Sequence, residues 1–441
     1  MLFPNVAPPM TPSLPLAIEH TRVATLRGNE VLQDHTVLVR NGRIERLGPS
    51  ALLPAPADAT RIDGSACTLL PGLCDMHVHL LPSGIDPAEG VPDEASAWAQ
   101  AEAYLKRLLD AGLTTVRNMA GTPWHLRVRD AVNAGRIAGP RIVTAGPILE
   151  TRFTFPAMAA FGKLVTSAEQ GRAEVHAQAA AGYDFIKVYN DLDPEIYDAI
   201  VATARELGLP VAGHVPFGKG LFGALAARQD SIEHFRSYDF ALDMREPAGK
   251  ERFVGWLHST PARMRELAER TAEAGSWNVP TLVIEEALAR SINGDSADAP
   301  WIEATTDQTD LRSVFSPAAL AAIAEGLPLR QQLLAAMDQS GARLLAGSDC
   351  PGCGLIPGQS LHRELQLMVQ AGLSPLRALQ TATANAAEYL GLRGRQGQII
   401  EGQRADLVLI EGSATSDLAA LSNVRGVATA GTWHTPAGES S

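Results

Sequence analysis

Residues 68–79 read TLLPGLCDMHVH, an apolar run that passes Pro71-Gly72 and ends on a polar pair, His77 and His79. Alternate residues of a strand project to one side, so these two imidazoles can grip one ion together. Taken alone, HxH occurs by chance in many chains. Its weight depends on what stands at the ends of the neighbouring strands.

Working outward, further apolar, β-branched runs fall at 114–119, 141–146, 185–189, 210–215, 231–234, 278–283 and 342–349. Helical stretches such as ASAWAQAEAYLKRLLDAG and DPEIYDAIVATARELG separate them, many opened by Ser or Asp and closed by Gly as helix caps require. Eight strands alternating with helices over residues 71–394 predict a (β/α)₈ TIM barrel of the α/β class, with a doubly wound open sheet as the alternative. At the two chain ends the pattern is instead all-β. HTVLVRNGRIERLG carries the hairpin signal Asn41-Gly42, and ADLVLIEG follows Gly402. Residues 17–70 plus 395–441 are therefore expected to form one small β-sandwich domain, and the proline-rich residues 1–16 a flexible N-terminal arm. The Asp/Ala-rich stretch 285–330 reads as an insertion over the barrel mouth, a candidate lid.

The charged and histidine residues follow the same frame. His77 and His79 end the first expected strand, Lys187 lies in the fourth, His214 ends the fifth, His234 the sixth and Asp349 the eighth. Strand C-termini of such a barrel converge on the face where active sites are built. Each residue also has an ordinary reading: a packed core histidine, a lysine reaching the rim, an aspartate capping a helix. Their joint placement at the strand ends, in chain order, is what points to a metal site. Imidazoles with a carboxylate suit zinc and its neighbours.

Bulk properties bound the rest. With 46% hydrophobic and 20% charged residues the chain can bury a large core, and its formal charge of −12 argues against nucleic acid as a partner. No apolar run reaches the roughly 18–20 residues a membrane span needs, and the N-terminus lacks the pattern of a signal peptide. The expectation is a cytoplasmic enzyme acting on a small molecule, with no membrane or nucleic-acid partner and with homo-oligomer formation left open.

These motifs resemble the amidohydrolase superfamily over about residues 17–412: DMHVH at 75–79, IKVY at 186–189, GHVP at 213–216, SIEH at 231–234 and AGSD at 346–349. GPRIVTAGP (139–147) and PGQSLHRELQLMVQAGLSPLRALQTATANAAEYLG (357–391) are similar to its imidazolonepropionase-like branch, which includes metal-dependent Xaa-Pro dipeptidases. The resemblance implies two divalent metal ions, zinc being favoured, bridged by Lys187 as N6-carboxylysine. His77, His79 and Asp349 would hold the first ion, and His214 and His234 the second. A hydroxide bridging them would attack the carbonyl, with Asp349 carrying its proton to the leaving amine. The implied reaction cleaves an amide or peptide-type C–N bond of a dipeptide or N-acyl amino acid. Alternatives are a cyclic-amide or imidazolone ring hydrolase and a catalytically silent barrel serving as a binding module. The silent barrel predicts a missing ligand.

Three further residues are candidate substrate contacts: Tyr189, on the same side of its strand as Lys187; His125 in GTPWHLRVRD; and His362 in SLHRE. One feature departs from the family pattern. Cys350-Pro351-Gly352-Cys353 follows the metal aspartate as a CxxC with no second pair to complete a structural zinc site, so two reduced thiols are expected.

Overall fold

The computed structural model describes residues 14–80, 94–153, 159–245, 251–303 and 315–436. Of the expected arm, residues 1–13 lie outside this range, and Leu16 already opens the first strand.

Five strands come first: β1 (Leu16–Ala24), β2 (Val31–Arg40), β3 (Arg43–Pro49), β4 (Thr60–Asp63) and β5 (Cys67–Pro71). The barrel strands and two short companions follow: β6 (Leu73–Val78), β7 (Leu113–Asn118), β8 (Arg141–Thr144), β9 (Ile148–Glu150), β10 (Gly162–Leu164), β11 (Ile186–Val188), β12 (Val211–Gly213), β13 (Ser231–Glu233), β14 (Trp277–Val279) and β15 (Arg343–Leu344). The chain closes with β16 (Leu407–Glu411), β17 (Val424–Thr429) and β18 (Thr432–His434).

Both chain ends build one eight-stranded sheet, ordered β18-β17-β16-β5-β1-β2-β3 with β4 beside β1. Its hydrophobic partners come from both ends, including Ile18, Val37 and Leu69 with Leu407 and Ala428. The N-terminal segment cannot bury its apolar face without the C-terminal one.

The barrel strands pair in parallel within two sheets, β6-β7-β8 and β9-β11-β12-β13-β14-β15 with β10 at the edge. Single bridges join the sheets at both seams, Ala145 with Phe185 and Val78 with Cys350. Backbone bonds reinforce them: Asp184 N donates to Thr144 O at 2.9 Å, Met76 N to Ala346 O at 3.0 Å and Asp349 N to His77 O at 2.7 Å. The result is the ring of eight parallel strands that the alternating pattern predicts. Helices such as Ala168–Ala181 cross between strands; Ser167 caps that one by accepting from Gln170 N, and Gly182 ends it at φ 87°.

Two boundaries differ from the sequence reading. The run 68–77 divides at Gly72 into a strand of each domain, with Thr114 packed where a Cβ would stand, 2.2 Å away. The run 278–283 stops at Val279, because Pro280 offers no N–H to continue the ladder, and a helix Leu282–Asn293 begins. Much of the supposed insertion 285–330 is likewise helix: the rest of Leu282–Asn293, then Pro317–Glu325 and the start of Leu327–Gln339. Its alanines, read as loop composition, are strong helix formers. Residues 304–314 of that stretch lie outside the described range. No described helix is long and apolar enough to cross a membrane.

Candidate active site

The C-terminal ends of β6, β13 and the segment after β15 bring His77, His79, His234 and Asp349 together. Asp349 Oδ1 lies 3.2 Å from His77 Nε2 and 3.1 Å from His79 Nε2, and its Oδ2 lies 3.7 Å from His234 Nδ1. The rings of His77 and His234 are 4.5 Å apart, and those of His234 and His214 are 4.9 Å apart and perpendicular. Lys187, 1% exposed, sits within the electrostatic reach of Asp349 and Glu233. His234 and Asp349 both take left-handed backbone conformations, φ 59° and 63°. Non-glycine residues adopt these only where surrounding contacts hold them, commonly at functional sites.

Three of the histidines are oriented through Nδ1. His77 Nδ1 donates to Glu233 Oε2 at 2.7 Å, and His214 Nδ1 to Asn190 Oδ1 at 2.8 Å. The Thr281 hydroxyl gives its proton to Pro280 O, so at 2.6 Å it accepts from His234 Nδ1. Each ring therefore turns an Nε2 lone pair outward, the tautomer that metal ligation needs. Burial holds His79, His214 and His234 below the ordinary imidazole range, so they are neutral donors. Burial pushes the Asp349 carboxyl up, but His234 and His77 outweigh it and keep the group well below its usual range.

A divalent cation fits this set. Ligand atoms of His77, His79 and Asp349 lie within 4.8 Å of one another, and the buried His77 Nε2 has no well-aligned hydrogen-bond partner. Neutral imidazoles around an anionic carboxylate match the preference of zinc-like ions.

Behind the histidines runs a network that the sequence reading missed. Arg117, fully buried, donates to Glu233 Oε1 and Ser231 Oγ at 2.8 Å each and to Met76 O at 2.6 Å, and its guanidinium carbon lies 5.0 Å from the Tyr389 ring centroid. Glu233 in turn holds His77. Burial would raise the Glu233 carboxyl, yet Arg117 and His77 keep it far below the ordinary carboxylate range. A buried carboxylate directly before His234 was the signal available in SIEH.

Among the candidate substrate contacts, Tyr189 stacks on His214 with centroids 4.2 Å apart. His125 is placed differently: Nδ1 accepts from Thr122 N at 3.0 Å and Nε2 meets Leu80 O at 2.8 Å, closing a helix-capping box. His362 gives Nε2 to Ala111 O at 2.8 Å. Both rings are buried and engaged with backbone. Cys350 is buried, with Sγ bonded to Leu355 O at 3.0 Å and its thiol pushed up to about 12 by burial. Cys353 is exposed, and neither cysteine forms a disulfide.

The adenine deaminase of Ruegeria sp. (strain TM1040) is 23% identical over 433 residues, 95% of this chain but 58% of that protein, so the chain spans little more than half of that relative. The enamidase of Eubacterium barkeri is 24% identical over 393 residues, 88% of this chain and 84% of its own. The crystal structure of a Xaa-Pro dipeptidase with methionine bound in its active site superposes with a TM-score of 0.73 at 22% identity, covering 96% of this chain and 100% of that one. That likeness establishes a common fold. The model of the amidohydrolase family matches residues 68–434, a span that holds every residue of the histidine cluster, and the chain is a hydrolase belonging to that family.

Proposed function

We propose that this amidohydrolase cleaves an amide or peptide-type C–N bond in a small substrate, a dipeptide or an N-acyl amino acid. The observation that carries the reading is the convergence of His77, His79 and Asp349 within 4.8 Å, with His234 against the same carboxylate. His77, His79 and Asp349 would hold one zinc ion, and His214 and His234 a second. Lys187, as N6-carboxylysine, would bridge them. Burial lowers the Lys187 amine to about 8, which raises the neutral fraction that adds CO₂. The ions would supply a water acidified toward neutral pH and polarisation of the scissile carbonyl. Asp349 takes the proton of the attacking water on a carboxylate oxygen and delivers it to the leaving amine. Tyr189, beside His214, is the proposed polar contact to substrate. The division into residues 17–70 with 395–441 against 71–394, and a cytoplasmic location, belong to the same proposal.

Elemental analysis of the purified protein, beside a panel of dipeptides and N-acyl amino acids, tests it. About two zinc ions per chain with cleavage of a panel member is the expected result. Cleavage confined to cyclic amides would replace the substrate class, and a chain that takes up no ion even with added zinc and bicarbonate would overturn the reading. Lys187→Ala should cost several kcal/mol of transition-state stabilisation, on the order of 10³-fold in rate, with partial recovery in short-chain carboxylic acids. Full activity in that variant would remove the two-ion site.

A further inference from the structure

Lys187 and His214 belong to neighbouring strands, and the loop that leaves β11 holds the His214 ring twice. Asn190 Oδ1 accepts from His214 Nδ1 at 2.8 Å, and Tyr189 stacks on the ring with centroids 4.2 Å apart. A loop fixes a ring only as well as its own backbone is fixed. That backbone is met by the end of β9, which pairs with β11 on the side opposite β12.

Glu150, the last residue of β9, is fully buried, and each of its oxygens takes one amide. Oε2 accepts from Asp191 N at 2.8 Å, directly after Asn190, and Oε1 from Thr151 N at 2.9 Å. The next two residues add to the same junction. The Thr151 hydroxyl accepts from Asp193 N at 3.0 Å, and Arg152 lies 3.5 Å from the Asp191 carboxylate. On the other side of the loop, Asn190 O accepts from Phe217 N at 2.8 Å, three residues past His214.

Burying a carboxylate is costly, and burial pushes this one up to about 7 against the pull of its two amides. No step of the proposed hydrolysis uses it. What it supplies is two acceptor oxygens in one place, with bonds stronger than a neutral group makes. We propose that Glu150 is a positioning residue for the second ion: by holding the Asp191 amide it keeps Asn190 and Tyr189 against His214, so that the ring carries its proton on Nδ1 and turns Nε2 to the metal. The proposal rests on the two-ion reading and names the residue that orients one of its ligands through a neighbouring loop.

Zinc titration against a chromogenic chelator tests it, with His214→Ala marking which of the two ions depends on that ring. Glu150→Gln keeps the size of the side chain but places an amide nitrogen where one oxygen accepted. It should weaken the His214-dependent ion about 10- to 100-fold and leave the other within about twofold. Thr151→Val, which removes only the outer bond, should weaken the same ion by a smaller factor, and Thr151→Ser should restore it. Equal affinity for both ions in Glu150→Gln overturns the proposal; so does a loss of both ions together with a lowered unfolding midpoint, which would make Glu150 merely structural. Should Glu150→Gln fail to fold, the Thr151 pair decides by the same criterion. Fewer than two zinc ions in the unaltered chain would sink the two-ion reading instead. The proposal then stands or falls on the His214 tautomer, read in zinc-free protein by long-range ¹H–¹⁵N NMR and assigned by its absence from His214→Ala. A proton held on Nδ1 in the parent and shared between the nitrogens in Glu150→Gln sustains the positioning role, and one tautomer common to both overturns it.

Discussion

Glu233 concentrates the chemistry of the site at the residue scale, because it is buried, anionic and shared between Arg117 and His77. Removing its charge strands a buried guanidinium and releases the ring that should present Nε2 to a metal. Glu233→Gln is therefore expected to lower zinc affinity 10- to 100-fold, roughly, and Glu233→Ala to destabilise the fold by about 3–5 kcal/mol. Competition with a chromogenic chelator and urea unfolding read the two effects. Unchanged zinc affinity in Glu233→Gln would mean that His77 is oriented by its backbone alone. This residue also marks the limit of reading a site from sequence. Histidines and a strand-terminal aspartate stand out because few residue types bind metals and the period of a strand fixes which side they face. Glu233, Asn190 and Thr281 do not stand out, since their meaning arises only from what lies across the barrel. His125 and His362 show the converse: their residue type suggested chemistry, and their partners are backbone carbonyls and a helix cap.

Elements, too, depend on partners distant in sequence. The helix Leu282–Asn293 follows Pro280 and a left-handed Thr281 at φ 50°, and no side chain at its N-cap satisfies its first amides. Glu364, from the helix Gln359–Gln370, reaches across to accept from Val283 N at 2.8 Å. Its other oxygen is buried with no partner, and burial raises the group from an ordinary 4.5 to about 8. Between those values the folded chain keeps a proton that the unfolded chain has released. The contribution of Glu364 is thus fully present below about 4.5 and declines as pH rises to about 8, by at most about 1.4 kcal/mol per pH unit. Glu364→Gln should flatten this decline, seen as converging urea midpoints at pH 5 and pH 8. A slope identical to that of the parent protein would show the carboxyl to be ionised in the fold. Such a cap cannot be found by scanning the helix's own first turn, so the sequence pattern extends the strand to 283, over the start of this helix.

At the scale of the whole molecule, the site exists because the strands close into a ring. Alternating patterns made the barrel strands legible, and the paired β fragments at the ends announced a domain built from both. The seams were not legible, since each rests on a single bridge and a few contacts, between residues about 40 apart in sequence at one seam and about 270 apart at the other. One such contact is Asp75, which accepts from Ser348 N at 3.0 Å and from the Ser348 hydroxyl at 2.6 Å. Gly347 sits at this seam: a Cβ there would lie 2.8 Å from His77 Cβ, 2.9 Å from His77 N and 2.5 Å from Val279 Cγ1. The valine can be trimmed, but the backbone of β6 cannot. Gly347→Ala should therefore pry β6 from the segment that carries Asp349, costing about 1–3 kcal/mol of stability. It should also spread His77, His79 and Asp349, although no ligand is altered. Zinc retained after gel filtration is expected to fall together with the unfolding midpoint, and adding Val279→Ala should restore only part of either. If Gly347→Ala kept both its zinc and its midpoint, the seam would have to be more compliant than these contacts allow, and ring closure would no longer explain how residues so far apart in the chain come to share one ion.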